Sequence, residues 1–165
     1  MSIKMFRECA DNGDVLGSLI AMQNIEDLNS VYVELYGDTP LIYAVNRDVS
    51  STVVSALIEA GAEVNGQNTL NYTPLHFASS TGTYDLVKIL LEHKACTDLE
   101  NDYGKTALHY ASEEGRRDVI TLLLEYGADI EIVDKNGWTP LHIAHKLGHK
   151  DVAEVLLQCE AKKQP

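Results

Sequence analysis

The 165-residue chain is the size of a single domain and carries 13 Lys and Arg against 25 Asp and Glu, a net charge of −12. That balance argues against direct binding to nucleic acid, which needs clustered cations to displace phosphate counterions, and it favours a protein partner with a basic patch, against the alternative that the acidity serves only solubility. Cys9, Cys96 and Cys159 are odd in number and far apart, the pattern of free thiols in a reducing cytoplasmic setting, with nuclear residence or leaderless export also compatible; no run of about 18 apolar residues predicts a membrane span.

In chain order, residues 1–33 predict two helices around a turn at Asp11-Asn12-Gly13-Asp14. Phe6, Cys9 and Ala10 form one face of the first, and Val15, Leu16, Leu19, Ile20 and Met22 give the second its apolar content. Gly17 inside that helix is expected to weaken it by ~1 kcal/mol relative to Ala. Residues 24–36 follow no clear period.

A hexad then opens each unit. Thr39-Pro40-Leu41-Ile42-Tyr43-Ala44 is followed by Thr73-Pro74-Leu75-His76-Phe77-Ala78, Thr106-Ala107-Leu108-His109-Tyr110-Ala111 and Thr139-Pro140-Leu141-His142-Ile143-Ala144, at steps of 34, 33 and 33 residues. Thr before Pro predicts a helix start, because the hydroxyl caps a free N–H and proline in the first turn forfeits no hydrogen bond. A second helix follows in each unit. Ser51 is expected to cap the stripe Val53, Val54, Leu57 and Ile58, and the equivalent stripes run over 86–91 and 119–124. Gly61 and Gly127 are placed to end their helices in the left-handed conformation, with Lys94 standing where they stand. The extra residue of the second unit falls near Asn46-Arg47-Asp48. Gly37, Asn71, Gly104 and Gly137, each two before a threonine, predict tight turns with positive φ.

A 33-residue period with a T-P-L-H-x-A core resembles the ankyrin repeat, over essentially the whole chain. The resemblance implies an all-α solenoid of about five helix-turn-helix units with projecting β-hairpin loops. Residues 1–33 are then a degenerate N-terminal cap, 34–67, 68–100 and 101–133 the repeats, 134–160 a C-terminal cap, and 161–165 a tail. It also implies histidines that are buried and bonded to backbone, tying repeats together. Asn65, eight residues after Leu57, resembles the site that an asparaginyl hydroxylase accepts in ankyrin proteins; the plainer reading is a hairpin asparagine bonding its own loop.

No enzyme chemistry stands out. His142, His145 and His149 lack a fourth ligand for zinc, and 129–137 misses the calcium-loop spacing. No phosphate loop, dinucleotide fingerprint or nucleophile elbow occurs, so neither cofactor nor catalysis is expected. Family members bind partner proteins through hairpin tips and first helices. By that resemblance the candidate binding residues are the tip positions three and one before each threonine: Tyr36 and Asp38, Leu70 and Tyr72, Tyr103 and Lys105, Asn136 and Trp138. Arg47, Ser80, Glu113, Glu114 and Lys146 lie beside them on the first helices. Exposed Tyr and Trp are what interface anchors use, against the alternative that tip aromatics pack on each other and stiffen the loops. The expected role is a monomeric adaptor or scaffold, with inhibition of a specific enzyme such as a kinase, or service as an effector exported into a host cell, as alternatives.

Overall fold

The structure, a computed structural model, describes residues 2–30 and 36–163. Ten helices lie among them: α1 Ser2–Asp11, α2 Val15–Met22, α3 Pro40–Asn46, α4 Ser51–Glu59, α5 Pro74–Thr81, α6 Tyr84–Glu92, α7 Ala107–Glu113, α8 Arg117–Glu125, α9 Pro140–Leu147 and α10 Lys150–Lys163. They form two layers. Odd-numbered helices contact one another in sequence as the inner layer, and even-numbered helices stack behind them.

The hexad explains the inner layer. Thr39, Thr73 and Thr139 sit in extended backbone and accept the N–H three residues on, and each proline opens its helix. Leu41, Leu75 and Leu108 are buried, while Ala44, Ala78, Ala111 and Ala144 are fully covered and let the next helix come close. The second helices α4, α6 and α8 bury most of their stripes, with Leu86, Leu90, Ile120 and Leu123 essentially without exposure and Ile58 and Ile89 only half-buried. At ~2 kcal/mol for each such side chain, this seam from Phe6 to Leu156 holds the units together.

Hydrogen bonds between units add direction. His76 Nδ1 accepts from the Thr73 N–H at 3.0 Å, so its Nε2 donates to the Lys105 carbonyl at 2.9 Å. His109 repeats this with Thr106 and the Trp138 carbonyl at 3.0 Å. Burial pulls the His76 pKa down to about 4, and burial also lowers that of His109. His142 keeps the local bond to Thr139 but stands exposed. A second series runs behind the tips. Asn29 accepts from Glu63 N–H at 2.7 Å, Asn65 from Cys96 N–H at 2.8 Å, and Asp98 from Asp129 N–H at 2.9 Å. Asn65 therefore bonds the next unit's loop, in place of the expected bond within its own.

Several expectations need correction. Ser50, not Ser51, caps α4 by accepting from the Thr52 N–H. In α2 the buried residues are Ser18, Ala21 and Met22, while Leu16 and Ile20 face outward. Gly17 is more than a weak point: a Cβ there would collide with the Asp14 carboxylate, which caps α2 by accepting from the Gly17 N–H. The inserted residue lies in the α3–α4 turn, with Asp48 at φ +52°. Lys94 holds φ +65°, a conformation that costs a non-glycine residue about 1 kcal/mol. The last helix does not stop at Glu160 but continues to Lys163. At that end His145 is exposed, as its position suggests, yet Leu147 and Leu157 are exposed beside it. Part of the irregular 24–36 segment, residues 31–35, lies outside the described residues.

Candidate protein-binding surface

Each of the last three tips is built on one Asn or Asp, five residues before the threonine. Asn68 Oδ1 accepts the N–H groups of Leu70 and Tyr72, both at 3.0 Å. Asn101 does the same for Tyr103 and Lys105 at 2.9 and 3.1 Å, and Asp134 for Asn136 and Trp138 at 2.8 and 3.0 Å. Two backbone bonds close each loop, from Asn68 N–H to Tyr72 O and from Asn71 N–H to Asn68 O, with their equivalents at Asn101 and Asp134. Burial alone would raise the Asp134 pKa, but the Trp138 and Asn136 N–H groups outweigh it and hold the carboxyl below its usual range. Gly37, Asn71, Gly104 and Gly137 have positive φ, as their positions require. The projections are turns rather than hairpins with paired strands: among the described residues only a single-residue bridge occurs, at Asp38.

Successive tips are bonded to each other. Thr69 N–H donates to the Tyr36 carbonyl at 3.0 Å, Asp102 N–H to Leu70 at 3.1 Å and Lys135 N–H to Tyr103 at 3.0 Å. The approach is close enough that a Cβ on Gly104 would meet the Lys135 nitrogen at 3.0 Å, which makes glycine necessary there on two counts. The tips thus form a row with fixed spacing and orientation.

The eight tip positions are not equally presented. Tyr36 is 74% exposed and Tyr103 52%, and Asn136 is exposed as well. Leu70, Tyr72, Lys105 and Trp138 are half-buried, and Asp38 is buried. Tyr72 stacks on Phe77 at 5.2 Å and meets Tyr110 and Tyr103 at 5.7 and 6.4 Å. The Tyr110 hydroxyl donates to that of Tyr72 at 2.8 Å and accepts from Asn101 Nδ2 at 2.8 Å. Burial, reinforced by the bond to Tyr72, pushes the Tyr110 pKa above its usual value. Lys105 lies over the Tyr110 ring and pairs with Glu113 at 2.7 Å. Lys146 stacks on Trp138 at 4.0 Å. Arg47, over the Tyr43 ring, reaches back to Asp11 at 3.6 Å. Ser80 is half-buried and Glu114 exposed. Sequence reasoning alone misses Asn68, Asn101 and Asp134, although their recurrence five before the last three threonines is a usable signal.

Tips and inner helices enclose two grooves. One, of about 350 Å³, lies between the first two tips and is lined by Tyr36, Asp38, Asn46, Leu70, Tyr72 and Phe77 among others. The other, of about 400 Å³, lies under the last tip between Lys105, Glu113, Trp138 and Lys146. His149, the third histidine of the 142–149 run, has its Nε2 against the Glu113 carbonyl at 3.0 Å. Among the described residues no group of three His, Cys, Asp or Glu could hold a metal, and no helix is long and apolar enough to cross a membrane.

A family model described as ankyrin repeats (3 copies) matches residues 6–100, 49–134 and 97–165. The chain belongs to the ankyrin-repeat family. Relatives include the ankyrin repeat protein FPV222 of fowlpox virus (strain NVSL), 42% identical over 59 residues, which are 36% of this chain and 8% of that protein. Protein fem-1 homolog A of Danio rerio is 37% identical over 67 residues, covering 33% of this chain and 11% of the other. Inversin of Gallus gallus is 39% identical over 59 residues, covering 36% and 5%. The matched segments thus span 5% to 11% of these relatives' lengths. Ankyrin repeats are in general protein–protein interaction modules.

Proposed function

We propose that this ankyrin array is a non-catalytic adaptor that binds a partner protein across its tips and inner helices. One observation carries the reading. Tyr36 and Tyr103 have their carbonyls locked into the following tips, yet their rings project into solvent. An aromatic held this way loses little entropy on binding, the property of an interface anchor. The net charge of −12 favours a partner with a basic face and weighs against a polyanion. Inhibition of an enzyme would use the same surface and differ only in what occupies it. The three free thiols, at Cys9, Cys96 and Cys159, suit a reducing compartment such as the cytoplasm.

Tyr103→Ala and Trp138→Ala are each expected to weaken binding to a partner purified from the native cells by ~2 kcal/mol, about thirtyfold. Among the described residues neither side chain makes a hydrogen bond between units, Tyr103 meeting only the edge of Tyr72 at 6.4 Å, and the His109 bond uses the Trp138 carbonyl. Tyr72→Ala is a poorer probe, because it also removes the packing on Phe77 and Tyr110. Titration calorimetry with circular dichroism on the same samples checks the prediction. Unchanged affinity in both folded variants would remove the tips from the binding surface.

A further inference from the structure

We propose, on the reading that tips and inner helices bind a partner, that the groove between the first two tips receives a Lys or Arg side chain of that partner, with the Asp38 carboxylate as its counter-charge. Asp38 stands one residue before its threonine, where later units place Tyr72, Lys105 and Trp138. It is 6% exposed and lines the groove of about 350 Å³, and Asn68 Nδ2 donates to its Oδ1 at 2.8 Å. Among the described residues no ion pair reaches it; Arg47, the cation whose field it feels, is paired with Asp11 instead. Tyr36, Leu70, Tyr72 and Phe77 supply apolar and aromatic lining.

The rest of the chain shows what such a setting accommodates. Tyr43 carries the guanidinium groups of Arg7 and Arg47 over its ring, at 5.4 and 5.5 Å. Tyr110 carries Lys105, whose charge Glu113 answers, and Trp138 carries Lys146. At those places ring and cation both come from this chain. The first groove has rings and a buried acid, while among the described residues no cation of the chain lies over Tyr36, Tyr72 or Phe77. An entering Lys or Arg would run its methylene stem along Leu70 and the rings and set its charged head against the carboxylate. A carboxylate away from water gains more from such a charge than an exposed one does, and the acidic chain attracts a basic segment at longer range. An acidic or neutral segment would leave Asp38 facing a like charge or nothing.

The test uses the full chain and a displayed library of random linear peptides. Selected peptides are expected to share a Lys or Arg, and replacing it with norleucine or Ala should lower affinity at least about tenfold. Asp38→Asn, which keeps an acceptor for Asn68, should cause a similar loss, and combining it with the altered peptide should add little further. The altered peptide on the unsubstituted protein tests the proposal even if Asp38→Asn does not fold. Peptides that bind the tips, shown by sensitivity to Tyr103→Ala or Trp138→Ala, but share no basic residue or ignore its loss would overturn the groove assignment alone. Peptides indifferent to every tip substitution would overturn the binding-surface reading with it, and a selection that enriches nothing basic counts against the proposal.

Discussion

The His76→Ala variant is expected to lose about 4 kcal/mol of unfolding free energy, a large share of what holds a domain of this size. His76 is 1% exposed, so truncation leaves a cavity. It also strands the buried Thr73 N–H, whose acceptor is the ring nitrogen, at a cost of about 1–3 kcal/mol. The bond to the Lys105 carbonyl, which joins two units, disappears as well, although that carbonyl still accepts from the Asn101 N–H at 3.1 Å. His142 is the internal control. It makes the same local bond to Thr139 but is exposed, and no bond to another unit is found for it among the described residues, so His142→Ala should cost only about 1 kcal/mol. Urea unfolding of both variants at neutral pH separates the contributions. Equal losses would mean that the bonds between units stabilise nothing beyond the helix cap.

Acidification is expected to remove roughly 3 kcal/mol of stability through His76 alone. Its ring is held neutral by burial, with a folded pKa of about 4 against an ordinary 6.5. Between those values the unfolded chain binds the proton and the folded chain does not. The contribution is therefore complete above pH 6.5 and lost progressively as the pH falls towards 4. His109, lowered by burial too, acts in the same direction. Asp134, whose carboxyl is held low by backbone N–H groups, contributes a further loss only below its ordinary carboxylate range. Asp38, raised by burial, works the other way. The urea midpoint should thus fall from neutral pH to about 5, with the His76 ring resonances unmoved over that range. A flat midpoint, or a His76 ring that titrates near its ordinary value, would contradict the buried neutral histidine.

Much of the fold is legible in the sequence because the hexad is a local signal repeated at a fixed step: Thr caps, Pro starts, Leu is buried, and His bonds the backbone. The legible parts need only one unit at a time. What depends on the neighbouring unit is harder to read. Tyr72 stands in a nominally exposed position and is half-buried because Phe77 and Tyr110 close over it. Asn65 has the look of a local loop residue and instead bridges to Lys94 and Cys96 of the next unit. Leu16 and Ile20 fit an apolar count for α2 but face outward, while the small Ser18 and Ala21 sit inside. Asp38 occupies a tip position in the sequence, and only the groove shows it as a buried carboxylate.

In the proposed binding mode the row of tips, and not the outer layer, meets the partner. A photo-crosslinking amino acid placed singly at Tyr36, Tyr103 or Asn136 samples the tips. The same group at Tyr84 or Tyr126, which are 41% and 45% exposed at the ends of outer helices, samples the outer layer at similar accessibility. Irradiated in the native cells, the tip positions should trap a common protein species that the outer positions do not. Trapping from Tyr84 and Tyr126 with none from the tips would contradict the account.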